Sequence, residues 1–160
     1  MIKFECGCSM GYHKAPLEGY DISSGAINNI PEILKGYNKV YMVADSNTYA
    51  AAGEAVEKIL KEAGKHYRTC VLEGEVILPN PDTLGKIILN ASDPCAKPNI
   101  FAYSELPDFI LAVGSGTIND SCRLASYRLN LPYGVVEKAD ISDNPDFVFD
   151  SLADVDKLMY

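Results

Sequence analysis

Residues 108–129 read DFILAVGSGTINDSCRLASYRL, and this stretch decides the fold. Its first part, 108–114, is the most apolar strand pattern in the chain, which is typical of a strand buried on both faces of a parallel sheet. Its last part carries apolar side chains at helical spacing, namely Ile118, Cys122, Ala125 and Leu129. The sequence therefore predicts a buried strand, a tight glycine loop and an amphipathic helix, in that order.

The loop Gly114-Ser115-Gly116-Thr117 is a candidate phosphate site. Two glycines let the backbone turn tightly and approach a ligand, and the first N–H groups of the helix, with its dipole, favour an anion. The hydroxyls of Ser115 and Thr117 add further donors. The loop lacks the third glycine of the dinucleotide fingerprint and the lysine of a Walker loop. A tight turn whose glycines serve packing alone is therefore the open alternative.

Asp120 lies in the first turn of the helix predicted after this loop. A carboxylate at that position often serves only as a favourable partner of the helix dipole. A bound pyrophosphate would repel it. If Asp120 is functional, we expect it to face a neutral, hydroxyl-bearing substrate beside the phosphates.

The other segments alternate between strand and helix patterns. Strand patterns cover 39–45, 66–78 (one strand or two) and 132–136, and helix patterns cover 26–36, 46–64 and 81–92. The predicted fold class is α/β, a Rossmann-like open parallel sheet with helices on both faces. An N-terminal β-hairpin over 1–22 precedes it. Residues 1–136 form the predicted dinucleotide-binding domain, and 137–160 an acidic tail that is either solvated or forms one short helix.

Composition and charge disfavour several classes of function. The 160 residues carry a net charge of −8, and such a surface disfavours nucleic acid and anionic lipid. The five cysteines are odd in number and scattered, which indicates a reducing compartment. We expect no leader, because no charged stretch followed by an apolar run opens the sequence, and no apolar run approaches the roughly 18 residues of a membrane span. We expect a cytoplasmic protein with no nucleic-acid or membrane partner.

Asp45 ends the strand pattern KVYMVAD, with Asn47 and Thr48 close behind it. A carboxylate at the end of such a strand can accept hydrogen bonds from both hydroxyls of an adenine ribose. The same residue types also cap helices, because their side-chain oxygens accept from the first free N–H groups. The sequence leaves these two roles open.

Three stretches carry a family resemblance: VADSNTYAAAGEAV (43–56), VILPNPDTLGKIIL (76–89) and LAVGSGTINDSCRLASYRLNLPY (111–133). They resemble the sn-glycerol-1-phosphate dehydrogenases, within the wider group of glycerol dehydrogenases, iron-containing alcohol dehydrogenases and dehydroquinate synthases. The opening FECGC with His13 is similar to the start of many members. The resemblance covers roughly residues 1–135, and GSGTIND in its strand–loop–helix setting is its most specific part.

The resemblance implies an oxidoreductase domain that binds NAD(P), for chemistry on dihydroxyacetone phosphate or glycerol phosphate. It places Asp45 and Asn47 near the adenosine end of the cofactor. Gly114, Ser115, Gly116 and Thr117 would hold the pyrophosphate. Asn119 and Asp120 would lie near the nicotinamide and the substrate. The negative charge of Asp45 favours NAD over NADP, because it would repel a 2′-phosphate.

The resemblance also implies a catalytic zinc or iron, held by an Asp shortly after LPY and by two histidines of a following helical domain. After LPY this sequence reads GVVEKAD, and its two histidines, His13 and His66, lie in the nucleotide-binding part. We expect the helical metal domain and its ligands to be absent, and this chain alone to be inactive. Cys6, Cys8 and His13 are one ligand short of a closed zinc site, so ordinary packing thiols are the alternative for the cysteines.

Two further functions stay open beside dinucleotide binding. One is a non-catalytic module that self-associates, since losing a large partner domain would expose apolar surface. The other is a binder of phosphate or a mononucleotide on the same fold. We expect a homo-oligomer, or a separate chain that supplies the metal domain.

Overall fold

The structure is a computed structural model that describes residues 2–5, 12–15, 19, 21, 23–92, 106–114, 116–139 and 146–148. Two short strands open it, β1 (Ile2–Glu5) and β2 (Tyr12–Ala15). They pair antiparallel, with Phe4 opposite His13, so the predicted N-terminal hairpin is confirmed.

Four parallel strands form the centre of the molecule: β3 (Lys39–Asp45), β4 (His66–Leu72), β5 (Phe109–Val113) and β6 (Tyr133–Ala139). A fifth strand, β7 (Asp146–Val148), pairs antiparallel with β6, and the order across the sheet is β4-β3-β5-β6-β7. All five residues of β5 are buried, as its unbroken apolar run predicted. The predicted open parallel sheet is therefore confirmed for its four central strands.

Helices cover both faces of this sheet. A 3₁₀ turn, Ala26–Asn29, leads into the short α1 (Ile30–Ile33). After β3 the chain runs through α2 (Ser46–Thr48), a π-helical turn (Tyr49–Gly53) and α3 (Glu54–Glu62). The other two helices are α4 (Pro81–Ser92) and α5 (Thr117–Leu129).

Alternating side chains of the central strands divide the core into two layers. Val40, Met42 and Ala44 of β3 pack against the α1 and α3 side, with Val56 and Leu60. Their neighbours on β3, Tyr41 and Val43, face the opposite layer, which α4 and α5 cover. The helix α3, which connects β3 to β4, lies on the first side, and α5, which connects β5 to β6, lies on the second. These two connections therefore cross opposite faces of the sheet.

The structure corrects three details of the sequence prediction. The pattern over 66–78 forms one strand that ends at Leu72, because Gly74 takes a φ of +145° and the chain turns away. The helix after β3 is interrupted by the π-helical turn. The acidic segment after Val136 does not begin as a tail, since β6 continues to Ala139 and β7 pairs with it. The possible helix over 151–160, and most of the irregular connection over 92–107, lie outside the described residues.

Candidate functional site

The carboxyl ends of the central strands meet at one edge of the sheet. Asp45 is the register partner of Leu72, Ala44 of Val113, and Val113 of Val136. From β3 the chain crosses to β4 over one face, and from β5 it crosses to β6 over the other, so the strand order reverses between β3 and β5. Ligands of open α/β sheets bind in the crevice at such a reversal. Both candidate loops, the one after Asp45 and the one after Val113, lie there.

Asp45 is the N-cap of the helix that follows β3. One carboxylate oxygen, Oδ1, accepts from the backbone N–H groups of Asn47 and Thr48, each at 2.8 Å. The Thr48 hydroxyl accepts in return from the Asp45 N–H at 3.0 Å, which completes a capping box. Of the two roles that the sequence left open, the structure shows the cap. The contact of Asp45 and Asn47 with an adenosine stays a prediction.

Thr48 is a residue of this edge that the predicted set of site residues omitted. A Cβ built on Gly114 would lie 3.0 Å from Thr48 Cγ2 and 3.4 Å from two atoms of Ile118. The methyl of Thr48 therefore packs directly on the glycine loop and joins the two loops at the crevice. The spacing Asp45-x-x-Thr48 carried the signal, because a cap residue and a polar partner three positions later are the pattern of a capping box.

The two glycines of the loop serve different purposes. Gly114 has a φ of +139°, donates its N–H to the Val136 carbonyl at 2.9 Å and has no room for a side chain. Gly116 has a φ of +49° and a ψ of −114°, yet a Cβ there would meet no atom within 4 Å. Backbone conformation and packing thus both require glycine at 114, whereas backbone conformation alone requires it at 116 and leaves open space above it. Ser115 lies outside the described residues.

The N-terminus of α5 has no side-chain cap. Gly116 is its N-cap residue, and the Asp120 N–H makes a helical bond, 2.9 Å to the Gly116 carbonyl. The N–H groups of Thr117, Ile118 and Asn119 lie before this first helical hydrogen bond, so α5 contains no carbonyl that could accept a hydrogen bond from them. Three donors at the positive end of a helix, beside an uncrowded glycine, are suited to an anion. This arrangement contrasts with the capped helix after β3.

Asn119 and Asp120 occupy different environments in the first turn of α5. Asn119 is half-buried, and its Oδ1 atom is buried without a hydrogen-bond partner among the described residues. The Asp120 side chain is 54% exposed and forms an ion pair with Arg123 at 3.3 Å. The predicted proximity of both to a nicotinamide or substrate stays a prediction. An unpaired buried oxygen is costly, which marks Asn119 as the residue of the pair that needs a donor.

Behind the site, the α4–α5 layer holds buried thiols and phenols. Burial raises the pKa of the Cys70 and Cys122 thiols and of the Tyr41 and Tyr133 hydroxyls above their ordinary values. Tyr41 donates to the Ile87 carbonyl at 2.9 Å, which ties β3 to α4. All four groups stay protonated at neutral pH, so they contribute packing and hydrogen bonding rather than nucleophiles.

A metal site is not evident in the described ranges. No group of three or more His, Cys, Asp or Glu side chains comes close enough there to hold a metal ion. Cys6 and Cys8 lie outside these ranges, and for His13 only the strand backbone is described, so their metal binding stays untested. Among the described helices, none is long and apolar enough to cross a membrane.

Comparisons with known proteins agree on one family. The family model of iron-containing alcohol dehydrogenases matches residues 21–143. Glycerol-1-phosphate dehydrogenase [NAD(P)+] of Halalkalibacterium halodurans is 33% identical over 143 residues, which cover 86% of this chain and 33% of that protein. This chain therefore spans about a third of the length of that relative.

Two solved structures share the fold. Glycerol dehydrogenase from Schizosaccharomyces pombe matches with a TM-score of 0.55 at 19% identity, covering 71% of this chain and 26% of that one. The 2-epi-5-epi-valiolone synthase of Streptomyces hygroscopicus, solved with NAD+ and Zn2+ bound, matches with a TM-score of 0.50 at 18% identity, covering 78% and 33%. The match of the family model over most of the chain, together with the 33% identity to the Halalkalibacterium relative, leads to one conclusion. The chain belongs to the iron-containing alcohol dehydrogenase family.

Proposed function

We propose that this chain is the NAD(P)-binding part of a glycerol-1-phosphate dehydrogenase-like oxidoreductase. The observation that carries the proposal is the uncapped N-terminus of α5, which lies at the reversal of strand order beneath the open space of Gly116. A pyrophosphate there would accept from the N–H groups of Thr117, Ile118 and Asn119. The Halalkalibacterium relative, an NAD(P)+ enzyme by name, supports the same assignment.

The remaining contacts of the cofactor follow from the positions of the two loops. The adenosine would lie over β3, where Asp45 and Asn47 end the strand, and its ribose hydroxyls would donate to the carboxylate oxygen that the cap does not use. The nicotinamide would lie near Asn119, whose buried Oδ1 needs a donor such as a carboxamide N–H. Asp120, exposed on the first turn, would face the substrate. When bound, the cofactor carries the hydride of the reaction.

The proposed role of the chain by itself is binding rather than turnover. The described residues offer no set of ligands for the zinc or iron that the family resemblance implies, so no metal-assisted step is assigned to them. Dihydroxyacetone phosphate and glycerol phosphate remain the proposed substrate class of the complete enzyme. A separate chain carrying the metal domain, or a second copy of this one, is the proposed partner, and the cytoplasm the proposed location.

Thermal unfolding with NAD, NADH, NADP and NADPH tests the proposal. A ligand at about 100 times its Kd raises the free energy of unfolding by roughly 2.7 kcal/mol, so binding is visible as a higher Tm. Gly116→Asp should abolish the shift, because its carboxylate would occupy the place of the pyrophosphate. Gly64→Asp is the matched control: Gly64 also has a positive φ and open space around it, but it lies at the far end of α3.

Each alternative has its own outcome in the same experiment. A Tm shift with AMP and inorganic phosphate, but with no dinucleotide, would replace the proposal with a mononucleotide or phosphate binder. An unchanged Tm at millimolar concentrations of every ligand, together with a stable dimer in sedimentation, would replace it with a self-associating module. A dinucleotide shift that survives Gly116→Asp would refute the glycine loop as the pyrophosphate site.

A further inference from the structure

Thr48 presents two chemically different groups to the two loops of the crevice. Its hydroxyl faces the end of β3, where Oγ1 accepts from the Asp45 N–H at 3.0 Å and donates to the Asp45 carbonyl at 3.3 Å. Its methyl faces the end of β5, since Cγ2 lies 3.0 Å from the place that a Cβ on Gly114 would take. One side chain therefore holds the capped turn with its hydroxyl and contacts the glycine loop with its methyl.

The hydrogen bonds of Thr48 fix the direction of its methyl. A threonine side chain turns only about χ1, so its hydroxyl and its methyl move together. Oγ1 is tied to the backbone of Asp45, and the Thr48 N–H is tied to Asp45 Oδ1 at 2.8 Å. Because both the backbone and the side chain of Thr48 are held by the cap, the methyl keeps its place against Gly114.

Gly114 depends on such neighbours, because it has no side chain of its own to pack. The Thr48 methyl and Ile118, whose Cβ and Cγ1 lie 3.4 Å from the same place, fill the space of the missing side chain. The φ of +139° at Gly114 is a conformation that favours glycine, the residue with the most backbone freedom to regain where contacts are lost. Removing the methyl would consequently loosen the residue through which the chain enters the glycine loop and α5.

We propose that Thr48 is a positioning residue, whose methyl holds Gly114 and the glycine loop in the conformation that presents the first N–H groups of α5, and thereby sets the affinity for the dinucleotide. This inference rests on the proposed function, since the ligand is the one proposed above. Thr48 acts through Gly114 and needs no contact with the cofactor. A loop that already has its binding conformation loses less conformational entropy on binding, which strengthens the affinity.

Substitution separates the two groups of Thr48. Thr48→Ser keeps the hydroxyl and loses the methyl. Thr48→Val loses the hydroxyl but keeps a methyl in that place, because its branched side chain is also stiff at χ1. Calorimetric titration with NAD and NADH, at a temperature where circular dichroism shows each variant fully folded, should give about fourfold weaker binding by Thr48→Ser, the equivalent of one buried CH₂ group. Thr48→Val should bind like the wild type, although losing the capping bond should lower its Tm by roughly 2–4 °C.

Thr83→Ser is the matched control for the loss of the methyl. Thr83 holds the same position in α4, three residues after Asn80, whose Oδ1 accepts from the Thr83 N–H at 2.9 Å. Its side chain is buried as well, but on the helix that follows β4. Thr83→Ser should therefore bind NAD and NADH like the wild type. Weaker binding in this control, equal to that of Thr48→Ser, would show that any lost methyl has the effect and would overturn the inference.

Amide hydrogen exchange without ligand separates this inference from the proposed function. The Gly114 N–H, which donates to the Val136 carbonyl at 2.9 Å, reports on the start of the glycine loop. The Ile110 N–H, which donates to the Pro132 carbonyl at 3.0 Å near the other end of β5, is the internal reference. Thr48→Ser should raise the ratio of the Gly114 exchange rate to the Ile110 exchange rate by about fourfold, because local opening at Gly114 costs less without the methyl.

The outcomes decide between positioning and a structural role alone. If Thr48 only stabilised the fold, the less stable Thr48→Val would bind worse than Thr48→Ser and exchange its Gly114 amide faster, and this order would overturn the inference. An unchanged exchange ratio in Thr48→Ser, or wild-type affinity of that variant, would also overturn it. Wild-type protein that binds no dinucleotide would defeat the proposed function, and the exchange ratio would then decide by itself whether the methyl positions the loop.

Discussion

Asp45 carries two tasks at the residue scale, and substitution can separate them. Its Oδ1 caps the helix by accepting from two backbone N–H groups, and its charge is proposed to select NAD over NADP. Asp45→Asn keeps the capping oxygen and loses the charge. We expect stability within about 0.5 kcal/mol of the wild type, because asparagine caps as well as aspartate. We also expect a several-fold fall in the ratio of NADP to NAD dissociation constants, because the charge that would repel a 2′-phosphate is gone.

Asp45→Ala provides the contrast. It removes the cap together with the charge, so the free energy of unfolding in urea should fall by about 1 kcal/mol. Equal preference for NAD in the wild type and Asp45→Asn would show that the carboxylate does not face the ribose. Equal stability of Asp45→Asn and Asp45→Ala would show that the capping box contributes nothing.

Arg68 provides a second prediction at this scale, since it is the most deeply buried charged side chain of the described residues. It is 1% exposed, and its Nη1 donates to the carbonyls of Asn90 and Ala91 at 2.9 and 2.8 Å. These carbonyls end α4 and have no acceptor role inside the helix. Arg68→Met should lower the free energy of unfolding by about 2–3 kcal/mol, because the buried carbonyls lose charged donors. Urea unfolding checks this, and a loss below 0.5 kcal/mol, within the usual effect of a surface change, would contradict it.

At the scale of an element, replacing a helical glycine by alanine should have opposite effects on stability in the helix after β3 and in α4. Glycine inside a helix usually costs about 1 kcal/mol relative to alanine. Gly85 of α4 has nothing within 4 Å of a built Cβ, so Gly85→Ala should raise the free energy of unfolding by about 0.5–1 kcal/mol. Gly53→Ala should instead lower it, since its methyl would meet the Tyr49 ring at 2.5 Å.

The double variant Gly53→Ala/Tyr49→Ala identifies the cause of that loss. With the ring removed, the added methyl has room, so alanine at 53 should cost less in the Tyr49→Ala background than in the wild type. Thermal unfolding of the four proteins in this cycle gives the coupling energy between the two positions. A coupling near zero would mean that the ring does not depend on Gly53.

For the molecule as a whole, the sequence predicts the parts that local pattern determines. The unbroken apolar run of β5 and the alternation between helix and strand identified the parallel sheet, and Gly64 after α3 takes the left-handed conformation expected of a helix end. Local pattern does not determine which strands are neighbours. The reversal between β3 and β5, which defines the crevice, comes from long-range pairing.

The candidate site was predictable to the same degree. The loop Gly114–Thr117 was proposed from its glycines, but the sequence could not divide their tasks, since only the structure shows that Thr48 and Ile118 crowd Gly114 while Gly116 has open space. The π-helical turn escaped prediction, because YAAAG is compatible with an ordinary helix and only the contact between Tyr49 and Gly53 marks it. The pairing of β7 with β6 was also missed, because acidic residues in a short segment resemble a tail.

The buried thiols and phenols predict how the stability of the whole molecule depends on pH. Burial raises the pKa of the Cys122 thiol above its ordinary 9.0, so the folded state keeps a proton that the unfolded chain loses. The free energy of unfolding should be at its full value below about pH 9 and should fall above it, by about 1.4 kcal/mol per pH unit for each such group. Tyr41, whose pKa burial raises above 10.0, adds to the fall above about pH 10.

Cys122→Ala should reduce the slope of the free energy of unfolding against pH between pH 10 and 11 by the contribution of one titrating group, as measured by urea unfolding across that range. Val135→Ala, an untitratable truncation in the same layer, should lower stability at every pH and leave the slope unchanged. Equal slopes in the wild type and Cys122→Ala would show that the thiol titrates as freely in the folded protein as in the unfolded chain.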